Sequence, residues 1–254
     1  MNYKTIIAEY KNNVCSIQIN RPDANNSIND ILIEECTRVL EQCDENMKIV
    51  VIKGLEDVFC LGADFNEIHA DISKGNYSNQ SPEPLYNLWL KLATGPYITI
   101  AYVRGKANAG GVGFVAACDM VIADETAQFG LSELLFGLYP ACVLPFLIRK
   151  IGFQKAHYMT LMTKSISVSQ ANSWGLVDVY DKRSESLLQK HLLRLKCISK
   201  TAIIKYKRYV NSLNDILIKS KSLAVEANEE IFSDRDNING IFRYVDEGKF
   251  PWEG

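Results

Sequence analysis

VRGKANAGGVGFVAACDMVIADETAQFGLSELLFGLYP, residues 103–140, is the stretch that decides the fold. A β-rich run over 97–104 leads into small residues, Gly105 to Gly113. An apolar helix over 111–118 and another strand over 119–123 follow. A strand that turns through glycine into a buried helix and returns as a strand is the unit of a parallel α/β sheet. Upstream, FCLGADFNEIHA (59–70) repeats the passage from strand through Gly turn to helix start.

Outward from these two segments the order persists. KIVVIK (48–53) reads as a short buried strand. Before it, Ile31, Leu32, Cys36, Val39, Leu40 and Cys43 recur at helical spacing, with Asn29 or Ser27 as N-cap. Residues 3–9 and 14–20 alternate around Lys11-Asn12-Asn13 as a hairpin, which Arg21-Pro22 ends. Residues 71–84, with Gly, Ser and two prolines, predict a mobile surface loop, and 85–94 a helix. Downstream, 153–163 and 168–174 predict helices, the latter stopping at Gly175. From about residue 184 the pattern is helical and basic; a further helix is expected over 213–232, then a polar tail. The reading is an α/β body, residues 1–190, with a helical C-terminal segment, 191–254.

Composition limits the function classes. The 254 residues are 47% hydrophobic, enough for a sizeable core. Against 28 basic residues stand 30 acidic ones, and a net charge of −2 gives no pull toward nucleic acid or an anionic membrane. Seven cysteines at spacings that fit no metal motif read as buried thiols of a reducing compartment. Three scattered histidines make a His-rich metal site unattractive, so no metal is expected. The N-terminus lacks the long apolar core of a signal peptide, and no apolar run reaches the roughly 18 residues of a membrane span. A soluble, cytoplasmic protein is expected.

The chemistry concentrates in the two Gly turns. Small residues at a helix start leave backbone N–H groups unpaired, where the helix dipole also favours negative charge. Two such turns aimed at one point make an oxyanion hole. Taken alone, each turn reads equally as tight packing. Neither GxGxxG nor GxxxxGK[ST] occurs, which disfavours a dinucleotide or P-loop site.

RPDANNSIND, FCLGADFNEI, the 103–140 stretch, ISVSQANSWGLVD and the tail IFRYVDEGKFPWEG, in this order and spacing, resemble the crotonase (enoyl-CoA hydratase/isomerase) superfamily over nearly the whole chain. That resemblance implies a spiral of ββα units with a helical C-terminal trimerisation segment, a homotrimer or hexamer, and acyl-thioester chemistry. By position it gives the oxyanion hole to the N–H groups of Ala63 and Gly110. It gives Glu133, in QFGLSE, the α-proton. Burial among Phe129, Leu131, Leu134 and Leu135 would lift its pKa toward neutrality. Asp64 reads either as a substrate contact or as a cap of its own helix.

Two departures from the family pattern matter. The family's second catalytic glutamate is replaced by Gly113, leaving space for a water or a substrate methyl, or leaving Glu133 to do both jobs in a syn elimination. The lysine that many CoA-using members carry after GAD is Asn66. That points to a phosphopantetheine arm on an acyl carrier protein, with free CoA as the alternative and no other cofactor. The basic run Lys190, Arg194, Lys196, Lys200, Lys205, Lys207 and Arg208 is a candidate docking face for an acidic carrier, or simply a solvated helix face.

SINDILIEEC, PLYNLWLKLATGPY and SELLFGLYPACVLPFLIRKIG are similar to one subgroup, the hydratase-like dehydratases of polyketide β-branching in bacterial trans-acyltransferase pathways. The implied reaction is dehydration of 3-hydroxy-3-methylglutaryl-carrier protein to 3-methylglutaconyl-carrier protein. A catabolic acyl-CoA hydratase or isomerase, the sister decarboxylase and a non-catalytic carrier-binding scaffold are the alternatives. Tyr86, Lys91, Asn108, Tyr139 and His69 are candidate partners for the distal carboxylate. Tyr86 and Trp89, three apart on one helix, read equally as core aromatics. Arg149 reads as a structural residue.

Overall fold

The computed structural model describes residues 3–74 and 81–253. Its first elements are the strands β1 (Ile6–Lys11) and β2 (Val14–Ile19), helix α1 (Asp30–Asn46), strands β3 (Ile49–Lys53) and β4 (Val58–Cys60), and helices α2 (Phe65–Ser73) and α3 (Glu83–Thr94). The central part comprises β5 (Ile98–Val103), β6 (Lys106–Asn108), α4 (Gly110–Ala117), β7 (Met120–Ala123) and β8 (Gln128–Gly130). After a 3-10 turn at Glu133–Phe136 come α5 (Leu144–Ile151), α6 (Phe153–Met162), β9 (Ile166–Ser167), α7 (Val168–Trp174) and β10 (Val179–Tyr180). The chain closes with α8 (Ser184–Leu195), α9 (Lys200–Leu213), α10 (Ile216–Lys219), α11 (Lys221–Ser233) and α12 (Arg235–Glu247).

The expected hairpin forms, with Lys11 opposite Val14 across a two-residue loop. Asn12 and Asn13 both take positive φ, which the right-handed twist of the strands requires there and asparagine tolerates. Helix α1 starts where the Asn29 side chain accepts the Leu32 N–H at 3.0 Å. It returns the chain to β3, parallel to β2, as the strand–helix–strand order predicts.

Two sheets result, and the chain alternates between them. A six-stranded sheet runs β1-β2-β3-β5-β7-β10, and a four-stranded one runs β4-β6-β8-β9. Thus β3, β5 and β7 enter the first sheet, and the strand after each enters the second. Each ββ step and its following helix make one turn of a spiral. Strands β4, β6 and β8 are parallel neighbours, so the turns that follow them all leave the same edge. Helix α4 is buried from Gly111 through Ala117. A helix apolar on every side belongs at the centre of the molecule.

Four expectations need correction. The run 213–232 is not one helix, because a break around Asn214 and Asp215 separates α9 from α10 and α11. The tail, expected only to be polar, contains a helix: Asp234 accepts from the N–H groups of Asp236 and Asn237, and starts α12. Its buried Ile241 packs with Phe136, Leu138 and Ile231. The boundary drawn at residue 190 falls inside α8, and Leu217 and Ala224 from the C-terminal helices belong to the main core. The loop expected over 71–84 is narrower, because α2 reaches Ser73 and α3 starts at Glu83; its centre, 75–80, lies outside the described residues. Among the described residues no helix is long and apolar enough to cross a membrane.

Candidate active site

Since β4 and β6 are adjacent and parallel, the Gly62-Ala63 turn and the Ala109-Gly110 turn lie side by side. A methyl group built on Gly62 would sit 2.7 Å from Ala109 Cβ and 3.3 Å from the Gly110 nitrogen. The Ile28 N–H donates to Gly62 O at 2.7 Å, and the Asp64 N–H donates to Ile28 O at 3.1 Å. The Ala63 N–H between them pairs with nothing among the described residues. Gly110 is the first residue of α4, so its N–H has no intrahelical partner, and no other group among the described residues takes it. Ala109 holds φ 49°, a left-handed conformation costly for a residue with a Cβ. That strain aims the Gly110 amide out of the sheet edge.

The first turn is held by a residue to which sequence reading gave no role. Asn26, fully buried, donates from Nδ2 to the carbonyls of Ile19, Val58 and Phe59 at 3.1–3.2 Å, and its Oδ1 accepts the Arg21 N–H. The consecutive asparagines after Arg21-Pro22 were the available signal. Arg21 in turn donates to Asp64 Oδ2 at 2.9 Å, beside Ser27 Oγ at 2.8 Å. Asp64 Oδ1 accepts the Glu67 N–H. Asp64 is therefore committed to its helix cap and its ion pair. It also lines the cavity described below, where it was expected as a candidate substrate contact. Asp64→Ala would remove the helix cap and the nearer of two carboxylates beside Arg21, leaving Glu67 at 3.7 Å, with an expected loss of about 1–3 kcal/mol of stability, measurable by urea unfolding.

Glu133 opens the short 3-10 turn after β8. Its Oε2 is buried and has no hydrogen-bond partner among the described residues. Burial pushes its carboxyl up to about 7, although the main-chain N–H groups of Glu133 and Ser132 favour the charged form. Phe129 and Leu131 are buried nearby as expected, but Leu134 faces outward. The Asn108 amide donates to Ser132 Oγ at 2.8 Å and so braces the turn that carries Glu133. Because the folded chain holds this proton up to about pH 7, against 4.5 in an unfolded one, folding binds extra protons across that window. Stability should therefore fall by up to about 3 kcal/mol as pH rises from 4.5 to above 7. Glu133→Gln is expected to abolish that decline, which unfolding at pH 5 and pH 8 would measure.

A cavity of about 560 Å³ joins these groups. Ala63, Gly110, Glu133, Asp64, Asn108 and Tyr139 line it. Tyr86 does not: it is buried, and its hydroxyl donates to Leu217 O at 2.6 Å. Lys91 pairs with Glu41, and His69 lies against Phe242 and Asp246, both away from the lining. Arg149 donates toward the carbonyls of Ala116 and Ala117 at the C-terminus of α4, a structural role as expected. Trp89 lines the cavity instead of Tyr86. There is no space beside Gly113, since a methyl group there would lie 2.5 Å from Trp89 Cζ2. The indole occupies the room expected for a water or a methyl. Its N–H is buried without a partner among the described residues, like Glu133 Oε2. A buried unpaired polar group costs about 1–3 kcal/mol, and two in one cavity suit a site completed by its ligand.

Two free amides and one proton-holding carboxyl in a cavity can polarise a carbonyl and move a proton beside it. The model of the enoyl-CoA hydratase/isomerase family matches residues 9–254. The chain belongs to this family. The family chain is 57% identical over 254 residues to the bacillaene synthase dehydratase PksH of Bacillus subtilis, covering all of this chain and 98% of that one. It is 34% identical over 179 residues, about 69% of either chain, to the 2,3-dehydroadipyl-CoA hydratase of Escherichia coli. Among solved structures, a polyketide biosynthesis enoyl-CoA hydratase (pksH) from B. subtilis superposes with a TM-score of 0.97 at 57% identity, covering 98% of this chain and 100% of that one. An enoyl-CoA hydratase/isomerase from Xanthobacter autotrophicus shares the fold, with a TM-score of 0.85 at 22% identity over 97% of this chain and 95% of that one. The spiral is the crotonase fold, and the family member is an enzyme of the hydro-lyase kind.

Proposed function

We propose that the enzyme is the dehydratase of polyketide β-branching, converting 3-hydroxy-3-methylglutaryl-carrier protein to 3-methylglutaconyl-carrier protein. The observation that carries this reading is the carboxyl of Glu133, its Oε2 buried and without a partner among the described residues, in one cavity with the unpaired amides of Ala63 and Gly110. The amides hold the thioester oxygen. Glu133, as carboxylate, takes the α-proton, and the electron pair enters the enolate. As the enolate collapses, the C3–O bond breaks, and the same carboxyl returns its proton to the departing hydroxyl. Water leaves and Glu133 is again a carboxylate. Trp89 fills the space beside Gly113, so no second carboxylate stands there; one acid/base serves both ends of a syn elimination.

A carrier-borne arm suits this cavity better than free CoA. None of the described residues lining it is Lys, Arg or His, whereas Asp23, Asp30, Glu67 and Asp71 are. Nucleotide phosphates would meet like charge, while a pantetheine arm is neutral. With no cation in the lining, the distal carboxylate falls to neutral donors, chiefly Tyr139. Its hydroxyl has no hydrogen-bond partner among the described residues. The basic run offers less to a carrier than its composition promises, since Lys207 is buried on Asp119 at 2.6 Å and Lys200 donates to Met47 O. Lys190, Lys205 and Arg208 remain exposed. Exposed Tyr206, Tyr209, Leu213 and Leu223 on α9 and α11 support assembly with further copies as a trimer or hexamer.

The test is to incubate the protein with 3-hydroxy-3-methylglutaryl-carrier protein and follow the carrier's mass. Loss of one water supports the reading. Additional loss of carbon dioxide without a partner would indicate the decarboxylase. An unchanged carrier, with turnover of crotonyl-CoA, would indicate a catabolic hydratase.

A further inference from the structure

Of the buried side-chain polar atoms without a partner among the described residues, two belong to residues that line the active-site cavity: Glu133 Oε2 and the Trp89 indole nitrogen. Glu133 has a role in the mechanism above and Trp89 has none. The Trp89 side chain is buried, 1% exposed. It packs edge-to-face on Phe114 and Phe146, with ring centroids 5.9 and 5.8 Å away. Gly113 and Gly110 together form the floor on which it lies, and a methyl group on Gly110 would be 3.8 Å from Trp89 Cζ2. The ring therefore stands beside the amide that faces the thioester oxygen. Any side chain at Gly113 would expel it.

We propose that the Trp89 N–H donates a hydrogen bond to the departing hydroxyl oxygen and is the specificity contact for a 3-hydroxy substrate. This rests on the dehydration reading. An indole N–H is too weakly acidic to surrender its proton under these conditions, but it can hold and polarise an oxygen. It restrains the hydroxyl on the Glu133 side and stabilises negative charge as the C3–O bond lengthens. The proton that completes the water comes from Glu133, so the atoms balance without a second acid. The arrangement also accounts for the glycine at 113: its missing side chain makes room for the ring.

Trp89→Phe would remove packing along with the N–H. The decisive variant replaces Trp89 with benzothienylalanine, in which sulfur takes the place of the N–H and the ring system is kept. Two rates are measured in wild type and variant. One is water loss from 3-hydroxy-3-methylglutaryl-carrier protein. The other is deuterium uptake at the α-carbon of 3-methylglutaryl-carrier protein, which has no hydroxyl. Water loss is expected to fall about 100-fold, with deuterium uptake unchanged within about twofold. Equal falls in both rates would show a packing role only and overturn the assignment. Unchanged water loss would overturn it while leaving the dehydratase reading intact. A wild-type enzyme that removes no water sinks both.

Discussion

Glu133→Gln is expected to lower the rate of dehydration by about 10³–10⁴-fold, with binding of the acyl-carrier substrate little changed. Glutamine keeps the size and one hydrogen-bonding oxygen of the side chain but can neither accept nor return a proton. In an active site with two carboxylates, losing one leaves the other with half the proton transfers. Here Trp89 occupies the space beside Gly113, and the proposed mechanism gives both transfers to Glu133. The same reasoning sets the pH dependence. In the proposed mechanism the working form is the carboxylate, and burial pushes its pKa up to about 7, so the wild-type rate should rise through neutrality and level off above it. The direction follows from burial: desolvation disfavours the charged form, and the base is half-titrated near neutral pH. Single-turnover rates across pH 5–9 check both points. A Gln variant at wild-type speed would remove Glu133 from the chemistry.

Gly111→Ala is expected to lower kcat by about 10²–10³-fold and to destabilise the fold by about 1–3 kcal/mol or more. A Cβ at Gly111 would lie 2.1 Å from the carbonyl oxygen of Cys60 and 2.9 Å from its carbonyl carbon. These are main-chain atoms at the end of β4, two residues before Gly62, and they have no rotamer to yield. The collision must push α4 away from β4. That separates the Gly110 amide from the Ala63 amide, because each rides on one side of the contact. A thermal melt and kcat measured on the same preparation test this. Unaltered values of both would show that the close approach of the two turns is unimportant.

Much of this was legible because it depends on local chemistry. Asn-Asn between alternating apolar runs forces a hairpin, and Gly turns between strand and helix leave amides unpaired wherever the fold puts them. What sequence could not supply was which face of α3 meets the cavity. Tyr86 and Trp89 are both buried aromatics three residues apart, equivalent by pattern. The difference is made elsewhere: α10 offers the Leu217 carbonyl to Tyr86, and Gly113 of α4 leaves a gap that Trp89 fills. The role of Asp64 was open for a similar reason. Its cap is a local feature, but its ion pair with Arg21 spans 43 residues of sequence. Helix α12 is the opposite case. Ile238, Ile241 and Val245 do recur at helical spacing after an Asp cap, and the polar composition around them obscured the period.

The central claim is that two main-chain amides and one glutamate divide the reaction between the thioester oxygen and the carbon beside it. The most direct test is a crystal structure of Glu133→Gln with 3-hydroxy-3-methylglutaryl-pantetheine bound. The account predicts the thioester oxygen about 2.7–3.1 Å from both the Ala63 and Gly110 nitrogens, with the residue-133 amide against the α-carbon. A thioester oxygen that touches neither nitrogen, or an α-carbon turned away from residue 133, would contradict it.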